Sequence, residues 1–114
     1  MPVRIKRVYE AATADDGTRI LVDRLWPRGI SKEKASFETW MKAVAPSTEL
    51  RKWFDHKPER WMEFQTRYRE ELKDSLDFDD LRKRAATGTV TLLYGSRNTA
   101  FNHAAVLAEL LNDS

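Results

Sequence analysis

The stretch TVTLLYGSRNTAFNHAAVLAELL, from Thr89 to Leu111, decides the fold. It begins with an unbroken apolar run, Val90 to Tyr94, which is typical of a strand buried on both faces. A polar segment follows, Gly95-Ser96-Arg97-Asn98-Thr99. An amphipathic pattern then predicts a helix from about Ala100 to Leu111. A strand, a polar loop and a helix in this order favour a parallel α/β sheet, in which ligands collect at such loops.

Two further strands are predicted upstream of this stretch. Val3 to Tyr9 at first alternates apolar and charged residues, and Arg19 to Asp23 is a short apolar run. Asp16-Gly17 is the expected tight turn between them. The pattern predicts a single α/β domain over residues 1–114, with a small, mostly parallel sheet of about three strands covered by about five helices. An antiparallel hairpin of the first two strands is the alternative.

The middle of the chain is predicted to be helical, because apolar residues recur there at helical spacing and capping residues precede them. These helices are needed to cover the faces of the sheet. Four helices are predicted. The first is capped by Ser36 and contains Phe37, Trp40, Met41 and Val44, and the second runs from Thr48 to Phe54 after the cap Ser47. The third runs from Pro58 to Lys73, and the fourth begins at Asp77 or Asp79 and ends at Gly88.

The composition of the 114 residues excludes several classes of site. There is no cysteine, which excludes disulfides, thiolate nucleophiles and zinc–thiolate sites. The chain has two histidines and no acidic cluster with ligand spacing, so neither a metal nor another cofactor is expected.

Charge and hydropathy indicate the kind of protein. The net charge of +2 is a weak sign of nucleic-acid binding, because basic binders usually segregate their charge. No apolar run approaches the roughly 18 residues of a membrane span, and the first ten residues lack a signal-peptide core. A soluble, cytoplasmic protein without a membrane partner is expected. Its oligomeric state is left open.

Two loops leave the carboxyl ends of predicted strands, Asp23 to Gly29 and Tyr94 to Thr99. If these strands are parallel and adjacent, both loops meet on one rim, where ligands bind in open α/β sheets. A helix N-terminus offers backbone N–H groups to an anion, and arginines add forks that fit phosphate or carboxylate. The rim is expected to carry Asp23, Arg24, Arg28, Tyr94, Gly95, Ser96, Arg97, Asn98, Asn102 and His103.

The expected partner at this rim is a small anionic ligand. Asp23, Ser96 and His103 supply residue types for catalysis by a hydrolase or transferase. However, the chain has neither the G-x-S-x-G motif nor the standard P-loop. The ligand-binding residues are predicted to be Arg24, Arg28, Tyr94, Gly95, Arg97, Asn98 and Asn102.

Structural roles and a different function are the alternatives. Asn98 or Thr99 can serve simply as the cap of the last helix, the arginines can brace loops, and His103 can be a hydrogen-bonded packing residue. A nucleic-acid-binding or regulatory module without catalysis is less favoured. Its basic patch would consist of Arg4, Lys6, Arg7, Arg82, Lys83 and Arg84.

Three blocks, RILVDRLWPRG, APSTELRKWF and TLLYGSRNTAFNHAAVL, resemble the YeaO-like bacterial proteins, within a larger domain-of-unknown-function family. The resemblance covers nearly the whole chain. It implies a small cytosolic α/β protein with no established activity, and it adds Ser47, Thr48 and Arg51 as possible neighbours of the rim.

The resemblance also implies a difference from some members of the wider family. Those members carry a cysteine and a Cys-His-Arg triplet in the region that matches Tyr94 and Asn102-His103. This chain has no cysteine there, and Ala104 follows the histidine. Thiol chemistry of such relatives therefore does not carry over.

Overall fold

The computed structural model describes residues 3–37 and 39–113. Within these residues the α/β class is confirmed, with four strands rather than about three and four α-helices rather than about five. The strands are β1 (Val3–Arg7), β2 (Thr18–Leu21), β3 (Thr39–Trp40) and β4 (Val90–Tyr94). The helices are α1 (Thr48–Phe54), α2 (Trp61–Leu72), α3 (Leu76–Thr87) and α4 (His103–Asn112), and short 3₁₀ turns occupy Ala14–Asp16, Lys42–Val44 and Pro58–Arg60.

The sheet is parallel throughout and has the strand order β1-β4-β2-β3. Its centre is β4, in which every residue is buried, as its unbroken apolar sequence predicts. Leu92 of β4 lies opposite Ile5 of β1 on one side and Ile20 of β2 on the other. The hairpin alternative is wrong, because β4 separates β1 from β2. The carboxyl ends of β2 and β4 are therefore neighbours at one edge of the sheet.

The two faces of the sheet are covered differently. Ile20, Val22 and Leu92 belong to a large apolar cluster to which all four helices contribute. Leu21 and Leu93, which alternate with them along the strands, belong to a small second cluster with Val8, Ile30 and Phe37. The helices thus pack on one face, while the long segment between β2 and β3 covers the other.

The helix predicted after Ser36 is wrong. Phe37 packs in the small cluster on one face of the sheet, whereas Met41 and Val44 pack among the helices on the other face. One helical stripe cannot reach both faces, so the chain instead forms the edge strand β3, which pairs with Ile20 and Leu21 of β2. Residue 38, within the predicted helix, lies outside the described residues.

Helices α1 and α3 agree with sequence signals at one end each. The Ser47 hydroxyl accepts a hydrogen bond from the Leu50 amide and caps α1 as predicted. Helix α3 ends at Gly88 as predicted, but Ser75 rather than an aspartate caps its start. Within the described residues, none of the helices has the length and apolar character that crossing a bilayer requires.

Tyr68 of α2 fixes the helical layer to the segment before α1. Its side chain is fully buried, and its hydroxyl donates to the Val44 carbonyl. Burial raises the pKa of the phenol well above its ordinary value, and the nearby negative charges of Glu71 and Asp23 act in the same direction. Tyr68 is therefore a neutral donor that supports the segment leading into α1.

Candidate ligand-binding cleft

A cleft of about 200 Å³ opens beyond the carboxyl ends of β2 and β4. It lies where sheet topology places a ligand site in an open α/β fold. The loop after β2, the segment that enters α1, and the loop between β4 and α4 all contribute to it. It is lined by Asp23, Arg24, Leu25, Ala45, Pro46, Arg51, Phe54, His56, Phe64, Ser96, Phe101, Asn102 and His103.

A carboxylate joins the two predicted rim loops. The Gly95 amide donates to Asp23 Oδ2 over 2.8 Å, and a Cβ atom at Gly95 would lie 3.0 Å from the same oxygen. The glycine therefore permits close approach, but the group that approaches is the protein's own carboxylate. The convergence of the two loops is confirmed, while the amide of Gly95, a residue predicted to bind the ligand, already donates to a group of the protein.

His103 completes this arrangement from the first turn of α4. Its Nε2 lies 3.0 Å from the Val22 carbonyl oxygen and 3.1 Å from Asp23 Oδ1. Because a carbonyl oxygen can only accept, Nε2 carries a proton, and Nδ1 is the acceptor in the neutral ring. No group in the described chain donates a well-aligned hydrogen bond to the buried Oδ1. Asp23 and His103 thus form a close pair, as the sequence placed them.

In the loop between β4 and α4, side chains of the loop accept hydrogen bonds from its own backbone amides. The Asn98 side-chain oxygen accepts from the amides of Ala100 and Phe101, at 2.9 and 2.8 Å. The amide of Asn98 donates in turn to the Ser96 hydroxyl at 3.1 Å. Asn98 and Ser96 therefore shape the loop with side-chain groups that the sequence analysis assigned to a ligand or to catalysis.

Helix α4 begins later than predicted. Its cap is Asn102, whose side-chain oxygen accepts from the Ala105 amide at 2.9 Å, rather than Asn98 or Thr99. Asn102 is buried, and its amide nitrogen donates to the Asn98 carbonyl at 3.0 Å. The residue that was expected to bind a ligand therefore has a structural role as a cap.

A family model matches residues 2–114 of the chain, and its description is "Inactive DUF488-N3 subclade". The chain belongs to this DUF488-N3 subclade. It is 53% identical over 110 residues to an uncharacterized protein of Mycobacterium tuberculosis, covering 96% of this chain and 93% of the relative. It is 44% identical over 115 residues to the uncharacterized protein YeaO of Escherichia coli, covering 97% of each. The YeaO-like resemblance is confirmed. No solved structure gives a significant match.

In this DUF488-N3 chain the predicted arginines separate into two groups. Arg24 lines the cleft, as does Arg51, which the sequence analysis placed beside the rim. Arg28 and Arg97 are exposed and lie outside the set of lining residues. Arg28 contributes its carbonyl, which accepts from the Tyr9 hydroxyl at 2.8 Å.

Tyr94 also lies outside the lining of the cleft. It is 2% exposed and packs in the large apolar cluster. Burial raises the pKa of its phenol, and Glu10 acts in the same direction. Tyr94 thus supports the end of β4 without reaching the cleft.

Sequence reasoning missed the apolar part of this DUF488-N3 cleft. Phe54, Phe64 and Phe101 line it, yet all three fall within segments predicted to be helical, where an apolar residue ordinarily packs in the core. His56, an exposed residue just after α1, also lines it. The residue is held in a left-handed conformation, with φ 55°, directly after Asp55 with φ 48°. The usable signal was the pair Arg51 and Phe54, three residues apart on one face of α1.

Proposed function

We propose that this protein binds a small molecule bearing a phosphate or carboxylate group in the cleft, without chemical turnover. The observation that carries this proposal is the charge of the lining. Two arginines, Arg24 and Arg51, are among the lining residues, whereas Asp23 is the single acidic residue among the described ones that line the cleft. Asp23 is already engaged by the Gly95 amide and His103, so the arginines favour an anionic guest.

Arg24 is held in place by main-chain groups. Its Nε and Nη2 donate to the carbonyls of Ala45 and Pro46 at 3.3 Å. These bonds orient the guanidinium without neutralising its charge, and they leave Nη1 without a partner among the described contacts. A fixed fork of this kind suits a carboxylate or phosphate, because little side-chain freedom is lost on binding.

The absence of turnover is supported by the contacts of the predicted catalytic residues. A serine nucleophile needs a base within hydrogen-bond reach, but no hydrogen bond among the described residues joins the Ser96 hydroxyl to either ring nitrogen of His103. The hydroxyl accepts from Asn98, and Nε2 of His103 faces Val22 and Asp23. Asn102 is a helix cap that offers no nucleophile. The description of the subclade as inactive agrees with binding rather than with a hydrolase or transferase.

The nucleic-acid alternative has less support, because acidic partners offset much of the basic patch. Within the described residues four of its cations form ion pairs and Arg7 donates to the carbonyls of Gly95 and Ser96. The four pairs are Arg4 with Asp15, Lys6 with Asp16, Arg82 with Asp79, and Arg84 with Asp80.

Replacing Arg51 with glutamine is expected to weaken the binding of phenyl phosphate by about tenfold, the usual effect of losing one charge-assisted hydrogen bond. Nuclear magnetic resonance titration of the ¹⁵N-labelled protein measures both the affinity and the site, through the amide signals of residues 95–103. Lys52→Gln is the matched control, because Lys52 is an exposed cation on the same helix outside the cleft. Equal weakening in both variants, or no shift in those amides, would contradict the proposal.

A further inference from the structure

The geometry points to the class of ligand: a single aromatic ring that carries the anionic group. This inference rests on the proposed function and adds to it the part of the ligand that the arginines do not contact. It is drawn from the aromatic side chains of the cleft, from its size, and from the position of its charges.

Aromatic rings form a continuous series along the cleft. The ring centroids of Phe54 and Phe64 are 4.6 Å apart, and Trp61 links both to Phe101, whose ring lies 5.3 Å from its own. Phe64 continues to Tyr68, at 5.7 Å, and Tyr68 to the His103 ring, at 6.3 Å. All three phenylalanines and His103 line the cleft. A planar guest can extend this series by edge-to-face or offset contacts.

The size of the cleft limits the guest to a small molecule. Its volume of about 200 Å³ is below the roughly 300–1,000 Å³ of typical ligand pockets. One substituted ring fits such a space, whereas a dinucleotide or a folded peptide does not. The exposed Leu25 lines the same cleft and adds apolar surface to it.

The positions of the arginines and of the aromatic rings allow one small molecule to contact both. Arg51 and Phe54 lie three residues apart on α1, so both project from the same side of the helix, and both line the cleft. Phe54 is 7% exposed and Arg51 is exposed, so the apolar group lies deeper than the charge. A ring packed against the surface that the phenylalanines present to the cleft would leave its phosphate or carboxylate at the level of the arginines.

A series of phosphates tests the inference on the wild-type protein. Phenyl phosphate is expected to bind about threefold to tenfold more tightly than cyclohexyl phosphate, which has a similar size but no aromatic ring. Both should bind more tightly than inorganic phosphate. The titration follows the amide signals of residues 95–103, and benzyl alcohol serves as the neutral aromatic probe.

The outcomes separate the two proposals. Cyclohexyl phosphate binding as well as phenyl phosphate would overturn the aromatic inference and leave the anion-binding function standing. Benzyl alcohol binding as tightly as phenyl phosphate would overturn the anion-binding function. Binding of none of the four probes would overturn both.

Replacing Phe101 with leucine is expected to abolish the preference for phenyl over cyclohexyl phosphate, because Phe101 is a partly buried ring of the cleft. Phe37→Leu is the matched control, since Phe37 is a partly buried ring in the small cluster on the other face of the sheet. The preference should survive in Phe37→Leu. Its persistence in Phe101→Leu, or its loss in both variants, would overturn the assignment.

Discussion

Asp16→Ala is expected to lower the free energy of unfolding by about 3–5 kcal/mol, the cost of removing one partner from a buried ion pair. The side chain of Asp16 is fully buried between Lys6 and Arg19, and Lys6 Nζ lies 2.8 Å from its Oδ1. Arg19 is itself only 5% exposed, so the variant leaves its cation buried with neutral partners such as the Ser36 carbonyl. Urea unfolding followed by tryptophan fluorescence measures the loss.

Asp15→Ala is the matched control for this experiment. Asp15 also forms an ion pair, 2.9 Å from Arg4, but its side chain is 69% exposed. Solvent screens such a pair, so its removal should leave the unfolding midpoint nearly unchanged. If the two aspartate variants unfolded at the same urea concentration, the buried ion pairs of Asp16 would contribute no more to stability than the exposed pair of Asp15.

The same carboxylate should give the wild-type protein a characteristic response to acid. The hydrogen bond from Lys6 holds the pKa of Asp16 well below its ordinary value, and Thr13 and Arg19 help against the opposing effect of burial. A folded-state pKa below the unfolded value of about 3.9 stabilises the protein above that pH. This stability is lost as the pH falls below about 4 toward the folded-state pKa. Asp16→Asn should lose less stability over that interval than the wild type.

The elements that sequence predicted well are those whose signals are local. The unbroken apolar run of β4 needs burial on both faces, which only a central strand provides. Ser47 before α1 and Gly88 after α3 act within a few residues of their own positions. Strand β3 has no such signal, because its two residues pair only through contacts with the distant β2. The helical spacing from Phe37 to Val44 was therefore misleading.

The position of the candidate site could be predicted from the sequence, but the contacts of its side chains could not. The convergence of the loops after β2 and β4 follows from parallel neighbouring strands. The sequence does not show which polar groups are already used inside the protein. Asp23 accepts a hydrogen bond from the Gly95 amide, and the Asn98 side chain accepts hydrogen bonds from backbone amides of its own loop. Both contacts exist only in the folded chain. The aromatic part of the cleft could not be recognised from the sequence, because within a predicted helix a ring that lines a cleft has the same pattern as a ring in the core.

Gly17→Ala is expected to cost about 2–6 kcal/mol, the sum of a strained backbone and a steric clash. Gly17 has φ 66°, a conformation that residues with a side chain rarely adopt. A Cβ atom there would lie 2.3 Å from the Thr89 carbonyl oxygen. That oxygen accepts from the Thr18 amide at 3.0 Å where β2 joins β4. The methyl group would thus push apart the two strands whose ends form the cleft.

Gly88→Ala separates this effect from the general cost of replacing a glycine. Gly88 also precedes a strand, but its φ of 177° is extended, and a Cβ atom there would meet nothing within 4 Å. Alanine should therefore leave stability unchanged or raise it by up to about 1 kcal/mol, because the unfolded chain loses freedom. Urea unfolding of both variants compares them directly. Equal stability of the two variants would contradict the close approach of Gly17 to the Thr89 carbonyl, and with it the register that pairs Thr18 of β2 with Val90 of β4.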